Sequence, residues 1–224
     1  MTLQMSILAD GTAATAVYGL ERPALGAAVL HFVPGEQPAQ ASRFVYDGKT
    51  LTTPLLHVQL DELGRITSLV TRADGMQWAD GPMNTLLMAE DVSAGWDGWD
   101  IDADCMMKLQ PAARLTKQTV TADGPQEFRL HSRYELGTAT ILEQDMIFRA
   151  ESTLVEWQTV LHWNEKHRVL KAAFPHQSAR RKQPDTRSSL ATLSAPPLPT
   201  IPASRRCLSA ATTVIPTFRS RVAG

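Results

Sequence analysis

Asp123-Gly-Pro125 is followed by Glu127-Phe-Arg-Leu-His-Ser-Arg-Tyr134, by Thr138 to Phe148, and by Thr153-Leu-Val-Glu-Trp-Gln-Thr-Val-Leu-His-Trp163. Each run alternates polar and apolar side chains, the period of a strand with one buried face. The Asp-Gly-Pro tripeptide punctuates the start of the series as a turn. Strands in series with turns between them predict an antiparallel sandwich.

Upstream, Thr53 to Leu60 also alternates, and Arg65-Ile-Thr-Ser-Leu-Val-Thr71 is rich in β-branched residues. Asp61-Glu-Leu-Gly64 between them reads as a turn, with Gly64 free to take a positive φ, so the pair predicts a hairpin. Residues 1 to about 45 are short apolar runs broken by Gly11, Gly19, Pro23, Gly26, Pro34 and Gly35. Within them Ala27-Ala-Val-Leu-His-Phe-Val33 reads as a strand. The best helical pattern is a short one near Asn164 to Lys171. The fold class expected is therefore all-β: an antiparallel β-sandwich, incomplete, with a disordered C-terminal tail. Residues 1–50 are a small β segment entering the sandwich, 51–176 the sandwich itself, and 177–224 the tail.

The tail differs in composition. After Pro175 it holds six prolines, many Ser and Arg, and no sustained hydrophobic period. Residues 177–224 carry eight basic residues against one acidic, whereas residues 1–176 carry 14 basic against 22 acidic. The net charge of −1 hides this reversal, which marks a distinct segment.

No stretch approaches the ~20 continuous apolar residues of a membrane span, and no basic, apolar leader is visible at Met1. Two distant cysteines, Cys105 and Cys207, make no disulfide framework and suit a reduced, cytoplasmic setting. Gly-x-Ser-x-Gly, His-Glu-x-x-His and phosphate-cradling glycine loops are absent.

The densest chemical signal is Gly95-Trp-Asp-Gly-Trp-Asp-Ile-Asp102. Trp faces stack on sugar rings, and carboxylates accept hydrogen bonds from hydroxyls. The plainer reading is an acidic turn whose tryptophans pack into the sandwich. Asp97, Asp100, Asp102 and Asp104 resemble a calcium loop only weakly, lacking the EF-hand glycine and terminal glutamate. Glu90, Asp91, Asp97 and Asp100 include conceivable acid/base pairs. His162 and His167 stand five apart, which is not metalloprotease spacing, and His162 reads as a packed or rim residue.

Four strings together resemble the C-terminal β region of family 38 glycoside hydrolases, the cytosolic or vacuolar α-mannosidases. They are Leu60-Asp-Glu-Leu-Gly-Arg-Ile-Thr-Ser-Leu69, Asn84-Thr-Leu-Leu-Met-Ala-Glu-Asp91, Trp96-Asp-Gly-Trp-Asp-Ile-Asp102 and His162-Trp-Asn-Glu-Lys-His-Arg-Val-Leu-Lys-Ala-Ala-Phe-Pro175. The resemblance covers roughly Pro23 to Pro175, and departs at Gly98, where the family usually has Ala. It implies an enzyme by ancestry, hydrolysing terminal α-mannose residues from glycans. It also implies that the catalytic machinery belongs to an upstream α/β domain, with a zinc ion, an Asp nucleophile and an acid/base carboxylate. No catalytic residue and no metal ligand is expected in this chain, and no cofactor is retained by it. Trp96, Asp97, Trp99, Asp100 and Asp102 are the implied carbohydrate-binding residues. The implied partners are an α-mannoside and the catalytic domain of the same enzyme; neither nucleic acid nor membrane is expected. A stand-alone carbohydrate-binding sandwich is the alternative, and a basic-tailed adaptor is weaker because Phe218 is the tail's only aromatic residue.

The family continues past Phe-Pro with a strand similar to Tyr-Glu-Ile-Gln-Phe-Gly, which the tail lacks. Joining the third base of each tail codon to the first two of the next restores it. Asp185 through Ala191 then permit Tyr-Glu-Ile-Gln-Phe-Gly, and Leu193 through Pro197 permit Glu-Arg-Pro-Thr. Leu208 through Gly224 permit Val-Cys-Gly-His-Asp-Arg-Tyr-Pro-Asp-Leu-Ser-Glu-Pro-Gly-Cys-Gly, like the family's next segment. Three ordered matches in one register imply that residues from about His176 are translated out of frame. A tail never selected to fold should be the first part trimmed by trypsin, at its seven arginines. Resistance of the tail to limited proteolysis, read by mass spectrometry, would contradict this.

Overall fold

The computed structural model describes residues 2–19, 27, 29, 31, 41–95 and 100–177. The described residues form thirteen strands. They are β1 (Thr2–Ile7), β2 (Ala13–Tyr18), β3 (Val45–Tyr46), β4 (Thr50–Thr52), β5 (Leu56–Leu60), β6 (Ile66–Thr71) and β7 (Thr85–Glu90). Then follow β8 (Gln110–Pro111), β9 (Ala113–Asp123), β10 (Glu127–Leu136), β11 (Thr140–Arg149), β12 (Val155–His162) and β13 (Arg168–Ala173). One 3-10 turn, Cys105–Met107, is the sole helical element among the described residues, and none of their helices is long and apolar enough to cross a membrane. The fold is all-β and antiparallel, as the alternating runs predict.

The long sheet, in order β12-β11-β10-β9, is one layer of a sandwich. Its inward face carries Phe128, Leu130, Met146, Phe148, Val155 and Trp157. These pack against Leu51, Leu56, Val58, Leu60, Ile66 and Leu69 of the sheet β3-β4-β5-β6. Further along the same face, Tyr134, Leu136 and Leu142 meet Leu86 and Met88 of the sheet β13-β7-β8. Trp157 is fully buried, and its ring meets Phe174 edge-on at 5.0 Å. The predicted hairpin is β5–β6, turned at Asp61–Gly64. The Asp61 carboxylate accepts the Leu63 and Arg65 N–H groups at 2.9 Å, and Gly64 takes φ +71°.

The outward face of β10 and β11 is charged. Period-two alternation puts Glu127, Arg129, His131 and Arg133 there, and the register sets His131 opposite Asp145 and Arg133 opposite Glu143. Arg129, 4% exposed, donates to Asp145 at 2.8 Å, to Gln158 at 3.0 Å and to Glu127 at 3.1 Å. Arg149 donates to Glu156 at 2.7 Å, and Arg133 pairs with Glu143. The β1–β2 hairpin clamps one end of this cluster. Gln4 binds the backbone of Gln126 and Glu127, while Ser6 and Tyr18 donate to the Glu127 carboxylate at 3.2 Å. Burial, and then the adjacent Glu127 charge, push the Tyr18 hydroxyl up to about 12.

One expectation is corrected. No helix forms at Asn164 to Lys171: His167 takes φ +50°, and residues 168–173 pair with β7 as β13. Six ladder positions along β7 outweigh a weak local helical pattern too short to sustain itself. In the N-terminal stretch, expected as a small β segment, β1 and β2 pair over six positions. Of the run 27–33, only Ala27, Val29 and His31 are described, and they carry no strand. The tail from residue 178 lies outside the described residues.

Two outcomes follow from this packing. Trp157→Ala should cost about 3–5 kcal/mol in urea unfolding. Trp157→Phe should cost much less, because the buried indole N–H has no hydrogen-bond partner among the described residues. The second concerns His131, whose Nδ1 lies 2.8 Å from Asp145 and Nε2 2.9 Å from Glu143. A neutral imidazole has one N–H, so only the imidazolium satisfies both carboxylates. The bond to Asp145 raises the His131 pKa, against a burial penalty that lowers it. A raised folded-state pKa stabilises fully below the unfolded value near 6.5, and that contribution is lost as pH rises through the folded value. The urea midpoint should fall across that rise, and His131→Gln should flatten the fall. An unchanged pH profile would refute the assignment.

Candidate carbohydrate-binding loop

The segment from 92 to 101 leaves the end of β7 and returns beside it. Its two ends are tied at Asp91, whose Oδ1 accepts the Asp102 N–H at 2.8 Å. The Asp91 N–H in turn donates to the His167 carbonyl at 2.9 Å, just before β13, where Arg168 pairs with Glu90. Residues from three of the four family-like strings therefore interlock at one end of the sandwich. Beyond Asp102 the chain enters the 3-10 turn, with the Cys105 thiol fully buried. Lys108 then reaches back to Asp102 at 3.0 Å and Asp104 at 2.7 Å. The hydrogen bond from Lys108, reinforced by its charge, holds the Asp102 carboxyl below its usual range. The same contacts, led by Asp104, raise the Lys108 ammonium.

Of the five residues expected to bind carbohydrate, Trp96, Asp97 and Trp99 lie outside the described residues. Asp100 is exposed, and its carboxylate accepts the Ile101 N–H at 2.9 Å. Asp102 anchors the loop through Lys108. The structure thus brings Asp91, Asp102, Asp104 and Lys108 together, a set that fixes where the loop starts and ends.

The other candidates take structural positions. An ammonium, that of Lys108, bridges Asp102 and Asp104. No group of three or more His, Cys, Asp or Glu among the described residues could hold a metal ion. Glu90 is exposed and Asp91 is engaged as a clamp. His162 is exposed at the end of β12, a rim position, and His167 contributes its carbonyl. In the Trp163-Asn-Glu165 string, Glu165 accepts the Thr138 and Ala139 N–H groups at 2.7 and 3.1 Å. These two bonds, the first-named before the second, lower its pKa. Asn164 donates to the Ala139 carbonyl at 3.1 Å. That string fastens the β12–β13 connection to the β10–β11 turn.

Sequence reading does not find the largest ionic cluster, that of Arg129, His131, Asp145 and Glu143. The signal is present as charges at every second position of β10, but only the register to β11 shows that opposite signs face one another.

The model of the glycosyl hydrolases family 38 C-terminal domain matches residues 51–187. Among curated proteins, Alpha-mannosidase 2C1 of Homo sapiens is 28% identical over 143 residues, covering 62% of this chain and 14% of that protein. Alpha-mannosidase 2C1 of Mus musculus is 27% identical over the same length and shares. The chain spans about one seventh of these relatives' length. The family match begins at Leu51, the first residue of the predicted sandwich, and runs through β13. The chain belongs to the glycosyl hydrolases family 38, as a C-terminal domain of that family.

Proposed function

We propose that this chain is the substrate-side β module of an α-mannosidase that removes terminal α-mannose residues from glycans in the cytoplasm. The observation that carries the reading is the family match over the whole sandwich, joined to the clamping of loop 92–101 by residues of the family-like strings. The catalytic domain of the same enzyme supplies nucleophile, acid and zinc, and this module walls the sugar site. Trp96 and Trp99 offer stacking faces there, and Asp97, Asp100 and Asp102 offer acceptors or anchor the loop. The described residues do not fit zinc, since no donor set converges, so no step is drawn through a metal here. A buried Cys105 thiol supports the cytoplasmic setting. A stand-alone carbohydrate module is less favoured, because the relatives contain this domain within far longer chains.

The module's contribution to hydrolysis follows from position. Anchoring Asp102 to Asp91 and Lys108 lowers the ordering cost of presenting its neighbour Asp100 to a sugar. The tail belongs to the same proposal: residues beyond about 176 are out of frame, although the family match extends to residue 187. Resequencing the gene across codons 170–180 tests that part directly.

Two measurements test the function. The isolated chain should not hydrolyse an aryl α-mannoside, with or without added zinc; zinc-dependent turnover would overturn the reading. In the human relative with its matched segment replaced by that of this chain, α-mannosidase activity should persist above the level of the deletion. Within that chimera Asp100→Asn should lower activity at unchanged melting temperature. Asp102→Asn should lower the melting temperature by loosening Lys108. Activity indifferent to Asp100→Asn would remove that residue from the sugar site.

A further inference from the structure

The 3-10 turn at Cys105–Met107 packs against β7, buries Cys105 and leaves two methionines in solvent, Met106 55% and Met107 83% exposed. The Met106 sulfur lies against Nζ of Lys171, in the middle of β13. Lys171 is itself fixed by its ladder pairing with Leu87 of β7. A thioether is a weak acceptor, so this contact adds little while the sulfur is reduced. Oxidation turns the apolar thioether into a polar sulfoxide. The new oxygen then forms beside an ammonium already in place to donate to it, and a charge-assisted hydrogen bond is roughly twice as strong as a neutral one.

We propose that Met106 is a peroxide-modification site whose sulfoxide is captured by Lys171. In the step, a sulfur lone pair attacks one oxygen of a peroxide, and the O–O bond breaks as the S–O bond forms. The sulfur is oxidised by two electrons and the peroxide is reduced by two. With hydrogen peroxide, the proton left on the transferred oxygen passes to the departing hydroxide and gives water. The turn that carries Met106 also sets Lys108 on Asp102 and Asp104, and the Asp102 N–H is bonded to Asp91. A sulfoxide held by Lys171 therefore ties the segment that follows residue 101 to β13, a second anchor beside that of Asp91. Met5 and Met107 are exposed but have no ammonium against their sulfurs among the described residues, and Met83, Met88 and Met146 are buried. Among these, exposure and capture coincide at Met106.

The test treats the full chain with graded hydrogen peroxide. Peptide mass spectrometry reads the sulfoxide at each methionine, and NMR follows amide hydrogen exchange over residues 102–108. Met107→Leu removes the neighbouring sulfur, so that the sulfoxide of Met106 governs the turn. Oxidation of that variant should slow exchange of the Cys105 and Lys108 amides about tenfold. Adding Lys171→Leu, which keeps bulk and loses the donor, should abolish the slowing while Met106 still oxidises. A methionine sulfoxide reductase should restore the original rates. Exchange that is unchanged or faster on oxidation overturns the capture, and so does slowing that survives Lys171→Leu. Slowing that the reductase cannot reverse marks damage in place of a modification site and overturns the proposal. A Met106 that stays reduced at peroxide levels converting Met107 overturns the site itself.

Discussion

A slip of one residue between β10 and β11 would drive Glu127, Arg129, His131 and Arg133 into the apolar core and turn Phe128, Leu130 and Tyr134 out to solvent. The ten-position register from Glu127–Arg149 to Leu136–Thr140 forbids it. Both faces enforce that register. On one side Phe128 and Phe148 pack into the larger core, and on the other His131 meets Asp145 while Arg133 meets Glu143. The apolar face supplies most of the stabilisation. The ionic face adds uniqueness of pairing, because leaving Arg129 buried without Asp145 would cost about 3–5 kcal/mol. The two smaller sheets and the N-terminal hairpin are positioned only because this pair is fixed.

The three strands that begin after Asp123-Gly-Pro125 were legible because each alternates strictly, and the β5–β6 hairpin because Asp61 and Gly64 carry the chemistry of its turn. β9 was not legible. Its exposed residues Arg114, Thr116, Lys117 and Thr119 offer little hydrophobic contrast, and it is an edge strand held by a ladder with two register shifts. The N-terminal segment was expected to be β, but its two strands were not placed, because its polar side is the buried one and hydrophobicity points the wrong way. β13 was read as helical because Val169, Leu170 and Ala173 fit either period over so short a run.

The candidate site was legible as a string and not as a geometry. Trp96 to Asp102 stands out in the sequence, yet Asp91, the residue that closes the loop, lies outside the string and acts through its carboxylate and its backbone N–H. Lys108 gave no sequence signal at all. Its role arises because the 3-10 turn at Cys105–Met107 folds it back onto Asp102 and Asp104. Family-like strings thus include the residues that anchor this segment, Asp91 and Asp102, as well as the segment between them.

Gly137 turns the chain between β10 and β11 with φ +57°, directly beneath the Glu165 carboxylate. A Cβ at 137 would collide with that carboxylate, which its bonds to Thr138 and Ala139 hold in place. Positions 137 and 165 are therefore one evolutionary unit, although 28 residues separate them. A descendant that gains a side chain at the first must first lose the carboxylate at the second, and passes through an intermediate with two bare amides. The order is fixed: position 165 can change alone, and position 137 stays closed to a side chain until it has.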